Sequence, residues 1–129
     1  MKYLTAEEIL VIHSEIIDET GGMHGIRDTG LLVSISEKPK LQFDGKELYR
    51  GVFKKAAVCL ESLIQYHVFI DGNKRTGAVS TARFLFMNEY ELIATSKELE
   101  NFVMEIAVNK LDLGAISIWL KKHSRKIKS

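Results

Sequence analysis

The sequence predicts an all-α protein folded as a single domain over residues 1–129. Apolar residues recur three and four positions apart along most of the chain, which is the spacing of one helix face. Two Thr-x-x-Glu patterns, starting at Thr5 and Thr95, have the form of capping boxes that open helices. Proline occurs once, at Pro39, so few rigid turns interrupt these segments.

Two helices and an irregular segment are predicted in the first third of the chain. The capping box at Thr5 opens a helix that runs to about Asp18 and stops before a pair of glycines. A second helix spans residues 30–37 and cannot continue through Pro39. Residues 40–46 follow without a clear period.

Two long helices, 47–66 and 73–88, are predicted in the middle of the chain. The first has an apolar stripe in which Ala56 and Ala57 allow a close neighbour. A short loop joins the two helices, so we expect a helical hairpin with the loop at its tip. The residues predicted to face inward from the second helix are Ala78, Val79, Ala82, Leu85 and Phe86.

The last third predicts a short extended connection over 90–94 and two more helices. The capping box at Thr95 opens the first, and the second runs from Ala115 to about Arg125 with Trp119 inward. A basic run closes the chain, and we interpret it as a solvated helix end, with contact to an acidic partner as the alternative. Its members are Lys121, Lys122, Arg125, Lys126 and Lys128.

The composition is that of an ordinary soluble globular protein, with 46% hydrophobic and 27% charged residues. The net charge of +1 gives no general attraction to nucleic acid or membrane, so neither is an expected partner. No apolar run approaches the length of a transmembrane helix, and the start has no signal-peptide core. The single Cys59 reads as a buried, inert thiol, and a cytoplasmic location is expected.

Reactive side chains are concentrated in the stretch from His67 to Gly77, where the two central helices meet. We predict that His67 is a general base, because a histidine can take a proton from a hydroxyl near neutral pH. Asp71 offers a hard oxygen ligand suited to Mg²⁺ that also binds phosphate oxygens. Phe69 is expected to anchor the loop in the core.

The start of the second central helix is predicted to bind phosphate. Gly72 lets the backbone approach a ligand, and Asn73 offers a side-chain donor or caps the helix. Lys74 and Arg75 add positive charge beside the transferred group, so they join His67 as catalytic candidates. The nucleotide-binding set is Gly72, Asn73, Lys74, Arg75 and Gly77, the last of which is also small enough for close helix packing.

These groups together suit phosphoryl or nucleotidyl transfer to a hydroxyl. Taken singly, each also has a structural interpretation. A histidine between helices is often structural, an Asp-Gly-Asn run is often only a turn, and a Lys-Arg pair is often a solvated face.

The ordered set resembles the signature of the Fic/Doc family, His-x-Phe-x-Asp/Asn-Gly/Ala-Asn-x-Arg. Every fixed position is filled, by His67, Phe69, Asp71, Gly72, Asn73 and Arg75. The stretch from Gly25 to Leu32 resembles a second family motif. We expect Arg27 and Asp28 to pair and hold this loop, because charges in a cleft generally need partners, with a catalytic role as the alternative. The similarity covers essentially the whole chain. It implies a compact Fic/Doc helical bundle with the active-site loop at the tip of the central hairpin.

Lys74 decides between branches of that family. AMP-transferring members usually have glycine there, whereas the Doc (death-on-curing) toxins have lysine and transfer the γ-phosphate of ATP. The resemblance therefore implies ATP and Mg²⁺ as cofactors and a hydroxyl of a translation elongation factor, Tu-like, as substrate. Gly72 departs from the Doc pattern, which has alanine. AMP transfer is thus the alternative, and a catalytically idle, partner-binding fold is the third hypothesis.

Two further stretches bear on partners. In the family, the region matching residues 40–46 forms a flap that holds the target peptide, so Phe43 is either a partner contact or an apolar lid on the core. Residues 96–101 match by letter an inhibitory pattern of the family, Ser/Thr-x-x-x-Glu-Gly/Asn, but we interpret them as the start of a helix. Inhibition is then expected from a separate antitoxin protein.

Overall fold

The computed structural model describes residues 1–127, which contain six α-helices, one 3₁₀ turn and two short antiparallel strand pairs. The predicted all-α class is confirmed, since the strands are only two or three residues long. The helices are α1 (Ala6–Thr20), α2 (Thr29–Glu37), α3 (Val52–Gln65), α4 (Asn73–Met87), α5 (Ser96–Asn109) and α6 (Leu113–Lys122). The strands are β1 (Gln42–Phe43), β2 (Lys46–Glu47), β3 (Tyr90–Leu92) and β4 (Ser124–Lys126), and the 3₁₀ turn is Lys38–Lys40.

The α3–α4 hairpin forms the centre of the fold. α3 is buried along most of its length, and α4, α5 and α6 pack against it. Gly77 permits close packing in the hairpin, because a β-carbon there would lie 3.4 Å from the side chains of Leu60, Leu63 and Ile64. The loop at the tip of the hairpin is thereby mounted on two rigid elements.

α3 begins at Val52 and not at Glu47, so its predicted start is wrong. Gly51 has φ 82°, a left-handed conformation that breaks the helical path. The residues before it form the β1–β2 hairpin, in which Phe43 pairs with Lys46. Two-residue strands are too short to leave a periodic pattern, which is why residues 40–46 showed none.

The inward face predicted for α4 is also largely wrong. Val79 is 46% exposed and Phe86 55% exposed, and only Leu85 of the predicted set is fully buried. The face that packs inward carries small and polar side chains, which hydrophobicity alone does not mark. Its buried residues are Thr76, Gly77, Ser80, Thr81, Phe84 and Leu85.

Both predicted capping boxes are present. The Thr5 hydroxyl accepts the N–H of Glu8, the Thr95 hydroxyl accepts the N–H of Glu98, and each glutamate side chain accepts the N–H of its threonine in return. Such a cap is worth ~1 kcal/mol of stability.

A strand pair lies near the end of the described residues, and the sequence predicted its first strand only as an extended connection over 90–94. α6 stops at Lys122, and β4 then pairs with β3, with Tyr90 opposite Lys126. Arg125 bonds to Glu91 across the pair at 2.7 Å. The basic run is therefore divided between a helix end and a strand, and its last member, Lys128, lies outside the described residues.

Cys59 is buried on α3, and burial raises the pKa of its thiol to about 12. The thiol is therefore protonated at neutral pH, which agrees with the predicted inert role. No helix among residues 1–127 is both long and apolar enough to span a membrane.

Candidate active site

The loop between α3 and α4, residues 66–72, carries two of the groups predicted to do chemistry, His67 and Asp71. α3 ends at Gln65, and His67 then takes a left-handed backbone conformation, φ 49°, which is uncommon for a residue with a side chain. The turn leaves the His67 imidazole exposed while Val68 and Phe69 are fully buried. The predicted anchoring role of Phe69 is confirmed.

Backbone hydrogen bonds attach this loop to a second extended segment, residues 25–28. The N–H of Arg27 donates to the carbonyl of Val68 at 2.7 Å, and the N–H of Ile70 donates to the carbonyl of Gly25 at 3.1 Å. Gly25 has φ 133°, and a β-carbon there would lie 2.6 Å from the Ile70 side chain. The second family motif therefore has a structural task, which is to hold the loop.

Asp28 caps α2 and does not pair with Arg27. Its carboxylate accepts the N–H of Leu31 at 2.9 Å, and within residues 1–127 no ion pair joins Arg27 to Asp28. The predicted pair is wrong because a helix N-terminus offers the carboxylate an unpaired donor and a favourable dipole.

Asn73 fastens the loop to the start of α4. Its side-chain oxygen accepts the N–H of Phe69 and its amide donates to the carbonyl of Phe69, both at 2.9 Å. The N-cap of α4 is Gly72, with φ 77° and no side-chain cap bond. The capping role suggested for Asn73 is therefore wrong, and its side chain positions the loop instead.

α1 braces the loop through His13, which is buried. Its ring stacks on Phe69 with centroids 3.8 Å apart and planes inclined by 6°. Its Nε2 lies 2.7 Å from the carbonyl oxygen of Asp71, and since a carbonyl only accepts, Nε2 carries the hydrogen. His13 thus holds the loop at the side chain of Phe69 and at the backbone of Asp71.

The Asp71 carboxylate is oriented by two backbone donors. Oδ1 accepts the N–H of Gly72 at 2.8 Å and Oδ2 accepts the N–H of Met23 at 3.2 Å. The side chain is exposed, so lone pairs remain for a ligand. No group of three or more His, Cys, Asp or Glu that could hold a metal occurs in residues 1–127. A single carboxylate fits Mg²⁺ that is shared with phosphate oxygens and water, as Mg²⁺ commonly is.

The first turn of α4 is suited to bind an anion. The backbone N–H groups of Asn73, Lys74 and Arg75 have no preceding helical turn to bond to, and the positive end of the helix dipole lies there. The N–H of Thr76 is the first to bond back, to the carbonyl of Gly72 at 3.0 Å. The side chains of Lys74 and Arg75 are exposed at the same turn.

A cavity of about 610 Å³ opens beside this turn, between α1, α4 and α5. Lys74 and Arg75 line it, and the Arg75 guanidinium donates to the hydroxyl of Thr20 at the end of α1. Neither cation forms an ion pair in the described part of the chain. Both charges therefore remain available to a ligand, although Glu19 and Glu100 line the same cavity.

The match to the inhibitory pattern lies on this cavity. The segment opens α5 as the capping box predicted, but Ser96 and Glu100 line the cavity together with Lys74 and Arg75. Among residues 1–127, Glu100 makes no ion pair with either cation.

Gly77 is buried in the contact between α4 and α3, where its neighbours are apolar side chains. Of its two suggested roles, the structure supports helix packing. The predicted nucleotide-binding set is thereby reduced to the exposed or half-buried residues from Gly72 to Arg75.

Two residues of α1 that the sequence did not connect with the site support it directly. The contact between His13 and Asp71 joins positions 58 apart in the chain. Thr20, at the end of α1, accepts a hydrogen bond from the Arg75 guanidinium. Helical spacing places both residues on α1, and it carries no signal for such long-range contacts.

The amino-acid sequence is similar to a known family and to two named proteins. The model of the Fic/DOC family matches residues 3–85. The chain is 33% identical over 118 residues to "Toxin Doc" of Mycolicibacterium smegmatis, covering 90% of this chain and 88% of the relative. It is 25% identical over 122 residues to "Protein kinase doc" of Escherichia phage P1, covering 95% of each chain.

Proposed function

Since the chain belongs to the Fic/Doc family, in its Doc branch, we propose that it is a toxin kinase of a toxin–antitoxin pair. It transfers the γ-phosphate of ATP, with Mg²⁺, to a hydroxyl side chain of a bacterial translation elongation factor, Tu-like, in the cytoplasm. Translation stops as a result. The relative named a protein kinase supports this reaction class.

The observation that carries the proposal is the placement of Lys74. Its ammonium is exposed on the first turn of α4, beside Arg75 and the free N–H groups of that turn, and it has no ion-pair partner in residues 1–127. A cation there fills the subsite that a glycine would leave open to the phosphates of an AMP-transferring enzyme. It also places positive charge beside a transferred phosphoryl group.

The proposed step is a single displacement at the γ-phosphorus. The hydroxyl oxygen of the target forms the new P–O bond as the bond to ADP breaks, and His67 accepts the hydroxyl proton. Within residues 1–127 the His67 imidazole has no hydrogen-bond partner, so a ring nitrogen is free to accept. Asp71 would hold Mg²⁺, which would neutralise phosphate charge when bound. Lys74 and Arg75 stabilise charge on the transferred group and on ADP.

Gly72 favours the alternative, which is AMP transfer by the same site. Its φ of 77° suits glycine, and a β-carbon there would lie 3.0 Å from Ile17 and 3.7 Å from His13. The Doc pattern has alanine at this position, so half of the AMP-transfer loop already exists here. An idle, partner-binding fold is the third candidate, and the free imidazole, oriented carboxylate and unpaired cations argue against it.

ATP labelled separately at the α and γ positions separates the three hypotheses. The purified chain is incubated with Mg²⁺, elongation factor Tu and either label. Label on the factor from γ-labelled ATP alone supports the kinase, label from α-labelled ATP alone shows AMP transfer, and no label from either supports the idle fold.

Asp71→Asn is expected to weaken Mg²⁺-dependent ATP binding by about ten- to hundredfold, because a contact to a charged group is worth ~1.5–3 kcal/mol. The amide keeps the size of the carboxylate and can still accept one of its two backbone hydrogen bonds, so the fold should persist. Calorimetry with and without Mg²⁺ measures the effect. The control is Asp44→Asn on the exposed β1–β2 turn. Equal Mg·ATP affinity in wild type and Asp71→Asn would show that Asp71 is not the metal ligand.

The proposed antitoxin is a separate chain whose helical segment packs beside the active-site hairpin and buries apolar surface near the flap. Two observations support such a partner. Val79, on α4 of the α3–α4 hairpin, is exposed and lines the cavity together with Met104 of α5. Phe43, in the flap of residues 40–46, is 77% exposed. The exposure of Phe43 excludes the alternative that it is an apolar lid on the core.

Expression of the wild-type chain alone should therefore arrest bacterial growth, and expression of a His67→Ala variant at the same level should not. Growth curves with immunoblots for protein amount measure this. Normal growth with abundant, folded wild-type protein and no partner would contradict a need for an antitoxin. Normal growth would instead support inhibition by the segment Ser96–Asn101, which matches the inhibitory pattern and contains Glu100.

A further inference from the structure

The β1–β2 hairpin is not held in place by burial. Every residue from 41 to 48 is exposed, including the apolar side chains of Leu41, Phe43 and Leu48. Two-residue strands joined by a tight turn are not stable by themselves in water. Some other contact must therefore determine how this hairpin is oriented on the helical body.

Lys55, in the first turn of α3, supplies that contact. Its side chain is 1% exposed, and its ammonium donates to the carbonyl of Tyr49 and lies 3.2 Å from a carboxylate oxygen of Glu47 in β2. Within residues 1–127, no other side-chain hydrogen bond or ion pair joins the segment 42–49 to a helix. Of the side-chain hydrogen bonds and ion pairs in the described residues, those of Lys55 alone join the β1–β2 hairpin to a helix.

This placement of a lysine is costly without its two partners. A buried ammonium loses its hydration, and a cation near a helix N-terminus meets the positive end of the dipole. The Tyr49 carbonyl and the Glu47 carboxylate offset both costs only while the chain holds them against α3. The same contacts that stabilise Lys55 therefore hold the hairpin segment to α3.

The other end of the segment is tied beside the candidate base. The Lys38 ammonium lies 3.5 Å from the Tyr66 hydroxyl and 5.2 Å from the centre of its ring. Tyr66 directly precedes His67 in the chain. Residues 38–51 therefore run along α3 from its active-site end back to its start, with Lys55 as the second point of attachment.

We infer that Lys55 is a positioning residue that sets the orientation of the β1–β2 hairpin and, through it, the affinity for the protein substrate. The inference rests on the proposed function and on the family resemblance by which the β1–β2 hairpin, the flap of residues 40–46, holds the target peptide. Lys55 touches neither ATP nor the reacting atoms in this account. Its loss should therefore raise KM for the protein target and leave kcat and Mg·ATP affinity unchanged.

The test compares Lys55→Met with Lys54→Met. Methionine fills the same buried space without a donor or charge, and Lys54 is the exposed neighbour on the same helix turn. The first readout is hydrogen exchange of the Leu48 amide, which donates to the carbonyl of Leu41 at 2.9 Å, measured without nucleotide or target. We expect the Leu48 amide to exchange about ten or more times faster in Lys55→Met than in the wild type. Loss of a hydrogen bond to a charged group commonly shifts an opening equilibrium by about this factor. Lys54→Met should match the wild type.

The second readout is the kinetics of modification of elongation factor Tu, followed through whichever group the wild type transfers. KM for the factor should rise about tenfold in Lys55→Met with kcat unchanged, and Lys54→Met should again match the wild type. Glu47→Gln, which keeps the buried lysine and its bond to Tyr49, should shift both readouts in the same direction by less. If Lys55→Met does not fold, the two readouts in Glu47→Gln test the inference instead.

Unchanged exchange of Leu48, or a fall in kcat at constant KM, would overturn the inference. Failure of the proposed function is a different result, in which the wild type transfers neither labelled group. The exchange readout is independent of transfer, and calorimetric affinity for the factor would then replace KM.

Discussion

Replacement of His67 by alanine will reduce transfer to the target by about 10²–10⁴-fold, the usual contribution of a positioned general base. His67 is the histidine on the active-site loop, it is exposed, and its ring has no partner within residues 1–127. The fold should persist, because the buried residues that anchor the loop are its neighbours Val68 and Phe69.

Initial rates with γ-labelled ATP measure the loss, and thermal unfolding confirms that the fold persists. His24→Ala is the matched control, since His24 is also exposed but pairs with Asp18. It should transfer at a nearly unchanged rate. Wild-type transfer and toxicity in His67→Ala would show that another group, or water, takes the proton.

Replacement of Lys74 by glycine will reduce γ-phosphate transfer by about a hundredfold or more, which is the common cost of removing a charge-stabilising group from a transition state. The variant has the Gly72-Asn73-Gly loop of the AMP-transferring branch, because Gly72 is already present. We expect weak AMP transfer in it, since the phosphate subsite is opened.

Lys74→Ala distinguishes loss of the ammonium charge from opening of the phosphate subsite. It removes the ammonium and keeps a β-carbon and good helix propensity, so it should lose γ-phosphate transfer without gaining AMP transfer. Transfer from α- and γ-labelled ATP is compared in the three proteins. Undiminished γ-phosphate transfer in both variants would remove Lys74 from the mechanism and leave Arg75 as the main cation.

The sequence predicts most of the helices well, and it brings the candidate site residues together, because both depend on local signals. The capping boxes at Thr5 and Thr95 fix two helix starts to the residue. The signature from His67 to Arg75 is contiguous, so the chain needs no distant contact to bring its members together.

What the sequence does not predict depends on contacts between distant residues or on side chains that are not clearly apolar. The packing face of α4 consists mostly of Thr, Ser and Gly, so a hydrophobic period places the wrong side inward. β3 and β4 pair across more than thirty positions, so the sequence predicts residues 90–94 as extended but does not predict their partner strand. A lysine such as Lys55 normally lies in solvent, and nothing in its local sequence marks it as buried.

The same limit applies to the support of the site. His13 and Asn73 hold the loop from two sides, and the Gly25–Asp28 segment pairs with it. Of these three supports, the family resemblance pointed only to the Gly25–Asp28 segment. The chemistry of the loop stays a prediction from the sequence. Of the contacts that position the loop, the sequence predicts the burial of Phe69 but not the hydrogen bonds from distant residues.

Mass spectrometry of the modified target tests the central claim most directly. Elongation factor Tu is incubated with the wild-type chain, ATP and Mg²⁺, and its intact mass and modified peptide are determined, with His67→Ala as the blank. We expect a mass increase of one phosphate on a hydroxyl side chain of the factor. An increase of one AMP would contradict the kinase assignment and establish the alternative reaction at the same site.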